Sequence, residues 1–272
     1  MYDKDRGFYL KHVVFVATLR CNLRCKLCSM YITQYEKPYH PTTEQLQSET
    51  DAFFRFADYV GRFTITGGEV FLLADFDDWL LYLYDNYFDR MNELRIFTNG
   101  TIVPNEQIIT VAAKFGSKAR IIVDNYGSQL SPRAKEAFDA LNGAVSCELR
   151  DYYENLHCDG WVNLNDFSKK HDKTGADELY AKCSMAKDFI CLDYINGKIS
   201  LCAFARRAVE LGVLDAPEEQ IDLHDEATSI EEKREVFLEW ERKKGFTACM
   251  YCDGRHGDSE RFMPAEQISE SK

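Results

Sequence analysis

The stretch Cys21-Asn22-Leu23-Arg24-Cys25-Lys26-Leu27-Cys28 constrains this chain more than any other. It follows the apolar run Val13-Val14-Phe15-Val16-Ala17, which reads as a buried strand. Three thiols within eight residues gather naturally around one iron–sulfur cube, since such clusters are held by Cys thiolates. A cube has four irons, so a three-Cys loop leaves one iron open to a ligand that is not protein. Zinc is the alternative, but it asks for four ligands, and the nearest later cysteine is Cys147.

Compartment supports metal chemistry. The start, Met1-Tyr2-Asp3-Lys4-Asp5-Arg6, has no signal-peptide pattern. No apolar run nears the roughly 20 residues of a membrane span. A cytoplasmic protein without a membrane partner is expected, in which ten Cys stay reduced and serve metal or redox roles. A net charge of -12 argues against a nucleic-acid partner.

Short apolar runs at 12–18, 62–66, 93–98, 119–124 and about 144–150 alternate with amphipathic segments at about 43–60, 75–90, 105–115 and 131–142. Pro132 after Ser131 reads as a helix opening. Strand–helix alternation of this kind predicts an α/β fold with a parallel sheet. Periodicity does not say whether that sheet curls into a barrel. Ligand contacts in such folds gather on the loops after the strands. The second run ends in Thr66-Gly67-Gly68-Glu69, the third in Thr98-Asn99-Gly100 and the fourth in Asp124-Asn125-Tyr126-Gly127. Two glycines let backbone approach a ligand closely, and Glu69 adds a charge. Asn99-Gly100 reads equally as a plain turn.

CxxxCxxC after a first buried strand, with Gly67-Gly68-Glu69 one strand later, resembles the radical S-adenosylmethionine (SAM) superfamily. The resemblance implies a partial (β/α)6 TIM-like barrel, a [4Fe-4S] cluster on Cys21, Cys25 and Cys28, and SAM on the open iron. It places Leu27 near the adenine, Gly67, Gly68 and Glu69 at the SAM ammonium group, and Asp124 or Asn125 at the ribose. Asn99 is expected to line the same pocket.

The fifth run gives Cys147-Glu148-Leu149-Arg150-Asp151. By alternation Glu148 and Arg150 share one face and Cys147 takes the other. Arg150, always protonated, suits a hydroxyl or carboxylate clamp, and a surface ion pair fits it equally. Residues 154–172, with Cys158, read as an irregular loop at the pocket mouth.

A second cysteine set follows. Cys183, thirteen residues, Gly197, four residues and Cys202 resemble the opening of the auxiliary-cluster modules called SPASM and twitch, and Cys249-Met250-Tyr251-Cys252 adds two thiols. The segments around Asn196-Gly197 read as a hairpin with a type I′ turn. Four Cys fill a site, either a second, auxiliary [4Fe-4S] cluster or a structural zinc. With no Cys beyond Cys252, the shorter twitch module is the match. The expected division is a barrel over 1–172, an auxiliary domain of hairpin and helix over 173–260, and a C-terminal tail over 261–272, frayed from Gln267 onward. The acidic segment 215–235 reads as a solvated face.

The resemblance implies an enzyme that cleaves SAM reductively to a 5′-deoxyadenosyl radical, taking its electron from a donor such as flavodoxin or ferredoxin. The radical removes a hydrogen atom from a small substrate. A fully ligated second cluster favours net oxidation of a sugar or cyclitol alcohol. Epimerisation, with Cys158 ahead of Cys147 and Cys191 as hydrogen donor, and peptide modification are the runners-up. A non-catalytic iron–sulfur electron carrier is the outside alternative, and it needs no Gly-Gly-Glu.

Overall fold

The computed structural model describes residues 2, 3, 5–153 and 156–268. Its strands are β1 (Tyr2–Asp3), β2 (Gly7–Thr18), β3 (Tyr59–Gly67), β4 (Met91–Thr98), β5 (Ala119–Asn125), β6 (Ser146–Asp151), β7 (Leu192–Ile195), β8 (Lys198–Ser200) and β9 (Gln220–Asp222). The helices are α1 (Thr43–Phe56), α2 (Phe76–Tyr87), α3 (Glu106–Lys114), α4 (Ala134–Leu141), α5 (Lys173–Lys182), α6 (Ala203–Glu210) and α7 (Ile230–Trp240). One sheet runs in the order β6-β5-β4-β3-β2-β7-β8-β9, with β1 appended to β2. Strands β2 to β6 pair in parallel, and β7 pairs in parallel with the other edge of β2. The fold is the expected α/β type.

Alternation decides which side of each strand meets the helices. Phe63, Ile65, Leu94, Ile96, Ile121 and Val123 join the core with Phe53, Trp79, Leu83 and Val111 of the helices. Aromatic rings fill much of that layer: Phe15 lies 5.4 Å from Phe63 and 5.2 Å from Trp79. The one polar atom of Trp79 is satisfied, its Nε1 donating to Thr50 Oγ1 at 2.9 Å. The other face carries His12, Val14, Arg62, Thr64, Arg95, Arg120, Asp124, Glu148 and Arg150, so it is a polar inner face.

The C-terminal third has three features that the sequence pattern did not mark. The hairpin β7–β8, turning on Asn196 and Gly197 with φ of 48° and 75°, extends the barrel sheet at the β2 edge. The tail is tied down by Trp161 and Phe262, which exchange backbone bonds of 2.9 and 2.8 Å, and the start of the stretch expected to fray is held too, Ile268 donating to Arg24 O and Gln267 Oε1 accepting from the Arg24 amide at 2.7 Å. Positions 269–272 of that expectation lie outside the described residues. Within the acidic segment Glu219 is buried, accepting from the Thr247 amide at 2.8 Å and from Lys243 at 2.8 Å. It braces the segment carrying Cys249 and Cys252.

Candidate functional site

The site forms where strands β2 to β5 end. Past Thr18 the chain continues as a ladder against β3, with Gly68 donating to Thr18 O at 2.7 Å and Glu69 donating to Arg20 O at 3.0 Å. Both glycines serve this contact. A Cβ on Gly67 would stand 2.0 Å from Thr18 O, and one on Gly68 1.9 Å from Arg20 O. The close approach read from the sequence is thus, in this structure, an approach to the chain's own backbone at the root of the cysteine loop.

Glu69 is fully buried. Its carboxylate accepts from the Phe71 amide at 3.1 Å, from Thr98 Oγ1 at 2.9 Å and from the Asn99 amide at 2.8 Å. Burial pushes its pKa up to about 7, against the pull of these donors. These bonds tie β3 to β4. Asn99 extends the tie, its Nδ2 donating to Cys21 Sγ at 3.6 Å and to Asn22 Oδ1 at 3.1 Å. Asn99 is therefore both a turn residue and a contact to the cysteine loop.

Each loop thiol has N–H donors aimed at it. Leu23 N lies 3.4 Å from Cys21 Sγ, and Gln267 Nε2 lies 3.3 Å from Cys25 Sγ. Amides of Ile32, Met30 and Tyr31 face Cys28. Leu27 is buried beside them. Burial raises the thiols to about 11 at Cys21 and about 12 at Cys25, and raises Cys28 as well. They are therefore protonated as they stand, and a bound metal must displace those protons. Gln267 was invisible in the sequence, because it lies 242 residues from Cys25 and no local pattern marks it.

Asp124 ends β5 on the inner face. Its Oδ2 accepts from Tyr126 OH at 3.4 Å, while its buried Oδ1 has no partner among the described residues. Burial holds its pKa up at about 7, against the opposing Arg150 guanidinium. A buried acceptor left open at a strand end suits a ligand hydroxyl. Asn125, by contrast, spends its Oδ1 on the Gly127 amide, closing a turn. Arg150, the register partner of Asp124, donates to Glu148 Oε1 at 2.9 Å and lies over Phe97.

The second set also converges. Cys202, Cys249 and Cys252 each lie within electrostatic reach of Cys183. Amides of Ala186 and Gly254 donate to Cys183 and Cys252 at 3.4 and 3.2 Å. Burial lifts Cys249 to about 11, Cys252 to about 12 and Cys202 well above its usual value. Tyr31 is buried within reach of Cys202, Cys252 and Cys28, so it stands between the two sets. Among the described residues no three His, Cys, Asp or Glu side chains form a group that could hold a metal ion as they stand. In donor chemistry both sets fit iron–sulfur ligation, soft thiols met by N–H groups.

The spare cysteines separate clearly. Cys147 faces the helix side, its Sγ 3.9 Å from Phe138 O. Cys191 packs with Val14, Val16 and Ile195 on the inner side. Cys158 sits on a single 3-10 turn, His157–Asp159, and its side chain lies outside the described residues.

Among the described residues no helix is long and apolar enough to cross a membrane. Residues 15–124 match the family model of the Radical SAM superfamily. That span contains the cysteine loop, Gly67-Gly68-Glu69, Asn99 and Asp124. BtrN in complex with AdoMet and 2-DOIA is similar in structure: 15% identical over 93% of this chain and 97% of that one, with a TM-score of 0.52. Native anSMEcpe with bound AdoMet is 14% identical over 94% and 93%, with a TM-score of 0.54. Streptococcus suis SuiB bound to S-adenosylmethionine aligns at 15% identity over 57% of this chain and 38% of that one, with a TM-score of 0.43. The chain thus spans well under half of SuiB. No curated protein matches the sequence. Likeness at such identities shows a shared fold, here that of a partial TIM-like barrel.

Proposed function

We propose that the chain is a radical SAM oxidoreductase acting on an alcohol carbon of a small substrate, with sugars and cyclitols as the leading class. A cluster on Cys21, Cys25 and Cys28 would supply, with SAM bound, a 5′-deoxyadenosyl radical, and a second on Cys183, Cys202, Cys249 and Cys252 would supply a one-electron acceptor. The chain's own residues do the rest. Asn99, Glu69 and the Gly67-Gly68 backbone lock the loop onto the strand ends, which fixes where a ligand on the loop can lie. Asp124 offers its open Oδ1 to a ribose or substrate hydroxyl. Arg150 stays protonated and orients the substrate. Net oxidation takes one hydrogen atom, then one proton and one electron, from the alcohol carbon and its oxygen.

The observation that carries this reading is the interlock at the carboxyl ends of β2, β3 and β4, where the Cys21 sulfur, Asn99 and Glu69 are joined. Its test is direct. Anaerobically reconstituted protein given SAM and dithionite should release 5′-deoxyadenosine and methionine, and Cys21, Cys25 and Cys28 changed together to Ala should release none. Release by the triple variant sinks the proposal. One observation favours epimerisation as a second reading: the half-buried Cys191 thiol faces inward and, raised to about 11, keeps its hydrogen. In deuterium oxide an epimerase returns one deuterium to carbon and fails with Cys191→Ala. A dehydrogenase gives a product two mass units lighter.

A further inference from the structure

The far end of the described chain returns to the first cysteine loop and pairs with it. Lys26 N donates to Glu266 O at 2.7 Å and Ile268 N to Arg24 O at 2.9 Å, forming an antiparallel bridge centred on Cys25 and Gln267. The turn that aims this strap is held under strain. Ala265 is fully buried with φ at 56°, a left-handed conformation that a residue with a Cβ adopts only at a cost. The surrounding structure must over-determine such a turn for it to persist.

The neighbours of Gln267 fix which way its side-chain amide points. Its Oε1 accepts from the Arg24 amide at 2.7 Å. A backbone N–H can only donate, so the oxygen must lie on that side. That leaves Nε2 facing Ala265 O at 2.6 Å and Cys25 Sγ at 3.3 Å. Both of its hydrogens are therefore used, and one is held on a thiol of the first set. The contact joins residues 242 apart, and Gln267 lies outside the span 15–124 that matches the family. The donor is supplied by the tail of this chain, not by the loop.

Hydrogen bonds to the ligating sulfurs are among the factors that set the reduction potential of an iron–sulfur cluster. Reduction adds one electron, and part of the added charge falls on those sulfurs. An N–H dipole already aimed at that charge favours the reduced form. We infer that Gln267 is a positioning residue for the first cluster, whose N–H on Cys25 Sγ raises the potential at which that cluster accepts an electron. The inference rests on the proposed cluster at Cys21, Cys25 and Cys28. It makes the strap 265–268 part of the electron-accepting site.

The test is an anaerobic redox titration of the full reconstituted chain, with dithionite as the electron source, read by electron paramagnetic resonance. The signal followed is the one that changes when SAM is added, since it belongs to the cluster with an open iron. Gln267→Leu removes the N–H and should make that cluster about threefold harder to reduce, a downward shift of roughly 30 mV at about 59 mV per tenfold for one electron. Gln267→Glu also removes the N–H but keeps an acceptor for the Arg24 amide. It should shift the same way, and it covers a Leu variant that fails to load iron. Glu266→Gln is the structural control, because it breaks the exposed 3.3 Å ion pair with Lys26 in the same strap and leaves Gln267 in place. A strap that merely shields the cluster would admit water when loosened, and water favours the more highly charged reduced form. Loosening therefore raises the potential, whereas loss of the N–H lowers it. An unchanged or raised potential in both Gln267 variants overturns the inference. So does failure of both to load iron, or a downward shift as large in Glu266→Gln. If the wild-type chain assembles no SAM-responsive cluster, the proposed function falls and the inference falls with it. If it assembles one whose potential ignores Gln267, the inference alone falls.

Discussion

Replacing Gly68 by Ala tests how the cysteine loop is held. The added Cβ would lie 1.9 Å from Arg20 O and 3.1 Å from Cys21 Cβ. Real Cβ contacts essentially never fall below 3.0 Å, so backbone must move by about 1 Å, taking the difference of those two distances. The obstacle is a carbonyl in a ladder, not the end of a flexible side chain. Bonds from Gly68 to Thr18 at 2.7 Å and from Glu69 to Arg20 at 3.0 Å would stretch together. Losing both costs about 1–3 kcal/mol at about 0.5–1.5 each, and overpacking adds about 1–3 kcal/mol. A loss of about 2–6 kcal/mol is therefore expected in urea unfolding of the apoprotein, followed by circular dichroism. Because Arg20 adjoins Cys21, iron loaded per chain should also fall. Gly257→Ala, where a Cβ meets nothing within 4 Å, should leave both unchanged. A Gly68→Ala protein with the wild-type urea midpoint and full iron would refute the claim that this approach positions the loop.

Changing Cys183, Cys202, Cys249 and Cys252 together to Ala should halve the iron of reconstituted protein, from about eight to about four per chain on the cubane count, and leave SAM cleavage intact. Stoichiometric zinc in protein purified without oxygen would replace that reading by a structural site. The pH dependence of apoprotein stability gives another test. Asp124 is raised from 3.8 to about 7 by burial, so the folded state holds its proton more tightly than the unfolded one. Its contribution is fully present below about 4 and is lost as pH rises through about 7. Asp124→Asn should flatten the fall in melting temperature between pH 4 and 7, and a variant that falls as steeply as wild type would show that Asp124 is not the group responsible.

The legible parts of this chain were those whose cause lies within a few residues. Alternation in Cys147-Glu148-Leu149-Arg150 correctly divided the helix side from the inner side. Asn196-Gly197 gave the hairpin turn through its demand for positive φ. Boundaries set from a distance were missed. The first helix was expected to reach residue 60 but stops at Phe56, where Arg90 from beyond α2 takes the carbonyls of Phe54, Ala57 and Asp58. That frees Tyr59 to begin β3. The fourth helix opens at Ala134 rather than Pro132. The second cysteine set showed its spacing, but not that the hairpin would join the barrel sheet. That pairing involves residues 13–15 with 192–194, which no window connects. The acidic segment hid a buried brace, Glu219, because its partners Lys243 and Thr247 lie more than 20 residues onward.

Placing the hairpin against β2 has a consequence for the two thiol sets. Strand β2 leads straight into Cys21, Cys25 and Cys28, while β8, one strand beyond β7, leads into Cys202. The sheet therefore sets the distance between the sets with backbone pairing rather than a linker. Helix α6, which starts just after Cys202, locks the geometry from above. Arg206 donates to Asp193 of β7 at 2.7 Å, both side chains 2% exposed. Arg207 donates to Gln34 O at 2.9 Å, on the segment following the cysteine loop. A buried pair of this kind adds little net stability, since desolvation offsets its attraction. Its value lies in direction: a misplaced α6 would strand a buried charge, which costs about 3–5 kcal/mol. The two arginines thus hold Cys202 and the first loop in one rigid frame. A fixed separation of this kind is what the proposed passage of an electron between two centres would use.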